Sequence, residues 1–407
     1  MRQYKDKIYN TMNLKIFTDN IDETAKRQIT RLLQQPAFAD AKVRIMPDVH
    51  AGKGCVIGFT ADLGDKVIPN VVGVDIGCGM YTVALGKQKP DFNILDDVMH
   101  RLIPSGMKVH ERPPVMFEQL ESLHCLQQLH HVMRLHGSVG TLGGGNHFVE
   151  VDVDSSGNYY LIIHSGSRNL GHQVCECYQA EAIAIHSGIP DRAEREAAII
   201  AEYKAAGRHK EIQAALDAYK AKCMAATPNV PRELCYLEGE ARQRYLDDMR
   251  ICQQFALLNR ETMARIIVEN LGATVHNAFH TTHNYIDHET NIVRKGAISA
   301  RAGEQLLIPI NMKDGCIFGV GKGNEDWNRS APHGAGRIMS RNEALKQLSL
   351  EAYRASMSGI FSSCISKDTL DEAPMAYKGM DEILRHISPT VDVVDIFKPI
   401  YNFKAAE

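Results

Sequence analysis

The sequence predicts an α+β fold in which mixed sheets of short strands surround a central helical excursion. Three observations lead there. Between Val43 and Ala84, apolar runs alternate with Gly and Pro (VRIMPDV, GCVIGFTADLG, KVIPNVVGVDIGCGMYTVAL), as short strands joined by tight turns do. Residues 172–271 are rich in Ala, Glu, Lys and Arg at helical spacing. After Gly272 the short-strand style returns, through ISARAGEQLLIPI and CIFGVGKG.

In chain order, residues 1–45 read as an opening region with a helix near Glu23–Gln35. Residues 92–103 and 117–136 have helical spacing, and 146–152 and 159–164 read as strands. Within the excursion, Arg192–Ala206 and Glu238–Leu271 read as helices, with Pro228 and Pro231 as breaks. Another helix is expected at 342–357, and VDVVDIFKPIYNFK reads as helix or strand. There is no internal repeat, low-complexity tract or linker. One large domain over 1–407, with the excursion at about 172–271 inside it, is therefore expected; the sequence leaves open whether the flanks share a sheet.

Composition narrows the function classes. Lys plus Arg is 46 and Asp plus Glu is 49, so the net charge is 46 − 49 = −3 over 407 residues. That excludes a protein holding nucleic acid by bulk positive charge, so any polyanion must be attracted by local patches. The ten cysteines include no Cys-x-x-Cys pair, which predicts reduced thiols and a cytoplasmic location. MRQYKDKIYNTMN lacks an apolar core, so no secretory signal is expected, and no apolar run is long enough to span a membrane.

No P-loop, dinucleotide fingerprint or H-E-x-x-H motif is present. Instead, several glycine-rich turns carry ligand-type side chains. Gly73–Met80 sets Asp75 and Cys78 three residues apart, a mixed hard and soft donor pair able to hold a transition metal. Taken alone, it also reads as a buried structural Cys beside a turn-capping Asp. Gly143–Glu150 delivers Asn146, His147 and Glu150; on a regular strand His147 and Glu150 would face opposite sides. His164 ends an apolar strand, followed by Ser165, Ser167 and Arg168. Four histidines crowd 276–288, and helical spacing would put His276, His280 and His283 on one face. His333-Gly334-Ala335-Gly336-Arg337 offers an approachable imidazole and backbone N–H groups for phosphate, with Arg337 as a clamp. Met46–Gly54, with its Asp48-x-His50 pair, the basic turns at Arg294 and Arg301, and Met375–Lys378 are weaker candidates.

Together, Asp75, Cys78, His147, His164 and a histidine from 276–288 make five potential ligands beside Gly turns or strand ends. Five ligands with one thiolate can hold two divalent ions, and two-metal sites activate phosphates for in-line displacement. His333 stays outside that set, on a phosphate-friendly loop, where it can serve as a nucleophile. The residues alone therefore point to metal-dependent phosphoryl or nucleotidyl transfer.

At these residues the sequence resembles the RtcB family of RNA ligases. The shared stretches are MPDVHAGKG, GVDIGCGM, GTLGGGNHFVE, HSGSRNLG, HNY at His283–Tyr285, RKGAISARAG, GNE at Gly323–Glu325, HGAGRIMSR and MAYK, in the family's order over almost the whole chain. Within the excursion only LNR at Leu258–Arg260 is familiar. The resemblance implies an RtcB-like domain that joins an RNA 3′-phosphate or 2′,3′-cyclic phosphate end to a 5′-hydroxyl end, in tRNA splicing or repair of cleaved RNA. It implies GTP as co-substrate and two Mn(II) ions. It places the guanylylated histidine at His333 and the manganese ligands at Asp75, Cys78 (bridging), His147, His164 and His283. It places nucleotide contacts at Asn146, His147, Phe148, Val149, Glu150, His283, Asn284, Pro309, Ile310, Asn311, Met312, Cys316, His333, Gly334, Ala335, Gly336, Tyr377 and Lys404.

The nucleotide loop departs from the family's Pro-Gly-Ser-Met-Gly, reading Pro309-Ile310-Asn311-Met312-Lys313, with Cys316 where a second Ser is expected. That bears on guanine preference and points to a divergent paralogue for RNA repair. The same ligands would serve a metal-dependent phosphohydrolase that opens cyclic phosphates without ligation. They would also serve a non-catalytic binder of RNA ends. With two ions, Arg168, Arg294, Arg301, Arg337 and Lys404 would concentrate positive charge at the RNA ends rather than along the strand. Nothing in the sequence names the physiological RNA, an oligomeric state or an activating protein.

Overall fold

The Val-, Ile- and Tyr-rich runs on either side of the helical block pair with one another. In the computed structural model, which describes residues 13–188, 192–225 and 228–405, seven strands form one sheet. Their spatial order is Gln305–Asn311, Gly315–Gly321, Val391–Lys404, Phe148–Val153, Tyr159–Ser165, Gly79–Gly86, Asn277–Thr282, and every neighbouring pair is antiparallel. The flanks of the excursion therefore share a sheet. The C-terminal run resolves as a strand, and Pro399, which cannot donate to a ladder, sits at its register shift.

A second, five-stranded sheet runs Leu14–Ile16, Val43–His50, Ile57–Asp62, Ile292–Lys295, Asn284–Ile286. It carries Asp48 and His50 on one strand, and its last two strands form a hairpin directly after His283. The two sheets thus meet near Gly79–Thr282 and His283, where ligand-bearing turns from both converge.

The helical block is only partly an excursion. Arg168–His186 and Gly239–Leu271 pack into the largest apolar cluster through Val174, Tyr178, Tyr245, Met249, Cys252 and Phe255. Helices Arg192–Ala205 and Ile212–Ala225 carry the more exposed remainder.

Two helical expectations need correction. Residues 117–136 form short 3-10 turns at Glu118–Ser122 and Leu126–Gln128 and a helix at Val132–Gly137. Asp248 of the long helix accepts the N–H groups of His124 (2.8 Å) and Cys125 (3.0 Å), which gives this backbone a partner other than its own helix. Residues 342–357 split into Arg341–Gln347 and Leu350–Ser356 because the Ser349 side chain accepts from Ala352 N and caps a new start. Among the described residues, no helix is long and apolar enough to cross a membrane.

Candidate metal and nucleotide site

The five expected ligands converge. One donor group is Asp75, Cys78 and His147; the other is Cys78, His164 and His283; within each, the ligand atoms lie within 4.8 Å of one another. Cys78 belongs to both. Its Sγ stands 3.5 Å from His147 Nε2 and 3.3 Å from His164 Nε2, while His164 Nε2 is 3.4 Å from His283 Nε2.

The imidazoles are oriented for this. His147 Nδ1–H donates to Leu142 O (2.9 Å) and His164 Nδ1–H to Asn146 O (3.1 Å), which turns both Nε2 lone pairs inward. The Arg168 guanidinium also lies 3.3 Å from His147 Nδ1, but two donors cannot bond each other, so the nearer carbonyl takes that proton. Burial, reinforced by neighbouring His147 for His164 and by His333 for His283, pushes both imidazoles well below the ordinary histidine range and keeps them neutral. Burial opposes ionisation of Asp75, but without a metal a proton on His147 Nε2 bonds Asp75 Oδ2 (3.0 Å) and, with the Arg168 charge, holds the carboxyl low; a bound cation takes the place of that proton. Burial and Asp75 push the Cys78 thiol up; a bound cation reverses that. Asp75 Oδ1 and His283 Nδ1 are buried without a partner. Lone pairs converging around one thiol, beside an orphaned carboxylate oxygen, fit a divalent cation in each group.

His333 faces this cluster, its ring centroid 4.8 Å from that of His283. Asp48, fully buried, accepts His333 Nδ1–H at 2.6 Å and the N–H groups of His333 (3.1 Å) and Gly334 (3.3 Å) on one oxygen. His333 Nε2 is thereby left as the free lone pair. Gly336, at φ 76°, lets the loop lie on this strand, because a Cβ there would stand 2.2 Å from Asp48 O. Nearby, His50 Nδ1–H donates to the Asp48 carbonyl O (2.9 Å), and burial pushes its imidazole down to about 4.

A cavity of about 810 Å³ opens beside the cluster. Its lining includes Asp75, Asn146, His147, Phe148, Glu150, His164, His283, Pro309, Ile310, Asn311, Met312, His333, Gly334, Ala335, Gly336, Tyr377 and Lys404. His147 and Glu150 both line the cavity, because His147 precedes the strand, which starts at Phe148, and so lies outside its alternation. Four expected residues lie off the cavity wall. Cys78 is beneath it, within the donor groups. Val149, pointing to the opposite face, is packed in an apolar cluster. Asn284 is used on backbone, donating to Asp75 O (3.3 Å) and accepting from Gly296 N (3.1 Å). Cys316 is one layer down and donates to Glu150 Oε1 at 3.3 Å. Burial pushes Glu150 up to about 7, although Cys316 and Asn402 both donate to it. Asn311 is turned into its own loop, accepting from Lys313 N and Asp314 N and donating to Asp314.

Some expectations dissolve. The 277–282 segment is a strand, so helical spacing does not apply, and His276, His280 and His288 are exposed while His283 is buried. Arg294 and Arg301 are both paired with Asp287 (3.1 and 2.7 Å), away from the cavity. Glu372, a buried acid on the cavity wall, has no spacing signal in the sequence. Asn259 and Arg260 are visible in the sequence only within the familiar LNR. Asn259 accepts from Gly140 N and Thr141 N and donates to Gly166 O, while Arg260 donates to Gly77 O (2.8 Å) and Ser165 O (2.7 Å).

Comparison with known proteins agrees with this geometry. A family model described as tRNA-splicing ligase RtcB matches residues 28–134 and 119–405. RNA-splicing ligase RtcB of Escherichia coli (strain K12) is 30% identical, over 94% of this chain and 95% of the relative. RNA-splicing ligase RtcB of Mycobacterium tuberculosis is 28% identical over 88% and 94%. tRNA-splicing ligase RtcB of Thermococcus kodakarensis is 25% identical over 88% and 86%. The match takes in both donor groups and the His333 loop, and on that extent the chain belongs to the RtcB family.

Proposed function

We propose that the chain is an RNA ligase that joins 3′-phosphate or 2′,3′-cyclic phosphate ends to 5′-hydroxyl ends, with GTP and Mn(II), through a guanylate on His333. The observation that carries this reading is a nucleophile with its tautomer set by Asp48, facing a bridging-thiol donor pair across a nucleotide-sized cavity. Its setting is cytoplasmic, in keeping with ten free cysteines. The RNA is a tRNA splicing intermediate or a cleaved RNA awaiting repair.

In this reading Asp75, Cys78, His147, His164 and His283 would hold two Mn(II) ions, which would supply positive charge against that developing on the phosphates. His333 Nε2 attacks the α-phosphorus of GTP and pyrophosphate leaves. Asp48 holds the Nδ1 proton and stabilises the positive charge that the ring gains. A 2′,3′-cyclic end is first hydrolysed, water adding to phosphorus and the P–O2′ bond breaking; GMP then passes from His333 to the RNA 3′-phosphate. The 5′-hydroxyl oxygen then attacks that phosphorus, its proton is lost, and GMP leaves. The Gly334–Gly336 backbone, Tyr377 and Lys404 line the nucleotide side of the cavity.

Incubation with α-labelled GTP and Mn(II) tests the assignment. Wild type is expected to take up label that resists denaturation, and His333→Ala to take up none; label on both would remove His333 from this role. A phosphohydrolase that never ligates would instead open cyclic phosphates without GTP.

A further inference from the structure

Glu372 closes the Lys367–Glu372 turn, only 3% exposed, and lines the same cavity as His333. Its two oxygens are filled. Oε1 accepts from Arg337 (3.2 Å) and faces Arg341 (3.3 Å); Oε2 accepts from Lys404 (2.8 Å) and from the Tyr377 hydroxyl. Arg337 also donates to the Tyr377 hydroxyl (3.1 Å) and stacks over its ring, with 5.0 Å to the centroid. Four donors, three of them cations, thus meet on one acceptor-only group, and a carboxylate has the lone pairs for four. Burial opposes its ionisation, but Lys404 foremost holds the carboxyl down to about 2. Without Glu372, like charges would face each other across the pocket wall, and no other group in this set could accept from all of them.

We propose that Glu372 is a positioning residue of the nucleotide site, holding Lys404, Tyr377 and Arg337 in the arrangement that receives the nucleotide. This rests on the nucleotide-binding reading above. Glu372 acts through its partners and not on the reacting phosphorus, so it serves binding. Its loss raises KM and leaves the maximal rate of the covalent step nearly unchanged. Gln is the discriminating replacement. It keeps the shape, but its amide nitrogen points donors at donors, so half of the set loses its acceptor.

The test is Mn(II)-dependent labelling of the full chain across a GTP series, for wild type, Glu372→Gln, Lys404→Met and the double variant. For Glu372→Gln the expected result is a KM raised tenfold or more with the maximal rate within threefold. The double variant is expected to fall clearly short of the product of the two single effects, because Lys404 is one of the partners through which Glu372 acts and coupled residues are not additive. An unchanged KM, a fall in maximal rate at constant KM, or effects that multiply in the double variant overturns the proposal. Should Glu372→Gln fail to melt cooperatively, Glu372→Asp takes its place in the same cycle, with the same outcomes at smaller amplitude. Wild type that takes up no label overturns the nucleotide reading and this proposal together. Labelled wild type with an indifferent Glu372 variant overturns this proposal alone.

Discussion

At the scale of single residues, the site depends on where protons sit. Asp48 spends one oxygen on three N–H donors of the His333 turn, so it orients the imidazole and fixes its tautomer at once. Asp48→Asn keeps the volume and removes the charge that offsets the ring's gain. It is expected to slow single-turnover labelling by about 10²–10⁴-fold, the range of positioned proton and charge effects. A loss under threefold would show that Asp48 only packs the turn. Glu150 supplies a pH signature. Burial lifts it from the usual carboxyl range to about 7, so between about 4.5 and 7 the folded chain holds a proton that the unfolded chain has released. Stability therefore falls as pH rises through this window, by up to roughly 3 kcal/mol from this group. Asp152 beside it, raised by burial and by Glu150, adds to the slope. In urea melts from pH 5 to pH 8, Glu150→Gln should show a shallower fall than wild type; parallel curves would mean that Glu150 is ionised throughout.

At the scale of elements, the long helix Gly239–Leu271 is what locks the ligand loops together. Arg260, 1% exposed, bridges the carbonyl of Gly77, beside Cys78, and that of Ser165, beside His164. Arg260→Ala strands two buried acceptors and should cost on the order of 3 kcal/mol in chemical denaturation. Because the ligands lose their backing, Mn(II) affinity by calorimetry should also fall tenfold or more. Normal affinity in the variant would confine Arg260 to stability. This element was half legible. Its length and helicity follow from composition and spacing, but its inward face carries Asn259 and Arg260, whose partners are backbone groups far away in the chain. Helical spacing would likewise put His276, His280 and His283 on one face. The local chain pairs instead with Gly79–Gly86, because the sheet offers ladder partners that spacing does not encode.

At the scale of the molecule, two sheets and a helical layer bring ligands from four segments of the chain to one point. Mn(II) should therefore stabilise the folded chain as a whole. At one hundred times its Kd each ion adds about 2.7 kcal/mol, a rise of a few degrees in thermal melts. Cys78 belongs to both donor groups, so Cys78→Ala should abolish nearly all of that rise, while His283→Ala should abolish only part. Equal losses in the two variants would show that Cys78 does not bridge.

The sequence by itself determined the chemical inventory. Glycine-flanked Asp75, Cys78, His147, His164 and His333 were legible because a turn that aims a side chain needs particular residues at particular spacings, all within a few positions. The α+β class was legible for the same reason, since period and turn chemistry are local. Only the tertiary structure decided that the flanks share a sheet and that Arg294 and Arg301 are spent on Asp287; residue spacing leaves the histidine of the 276–288 run open, and the family resemblance and the structure both point to His283. The structure also decided that Cys316 lies under Glu150, and that Glu372 gathers the cations of the cavity wall. Each of these depends on burial and on partners that the fold and not the local spacing selects, from 5 to 166 residues away, and the energy of a buried charge or an orphaned acceptor is set by those partners.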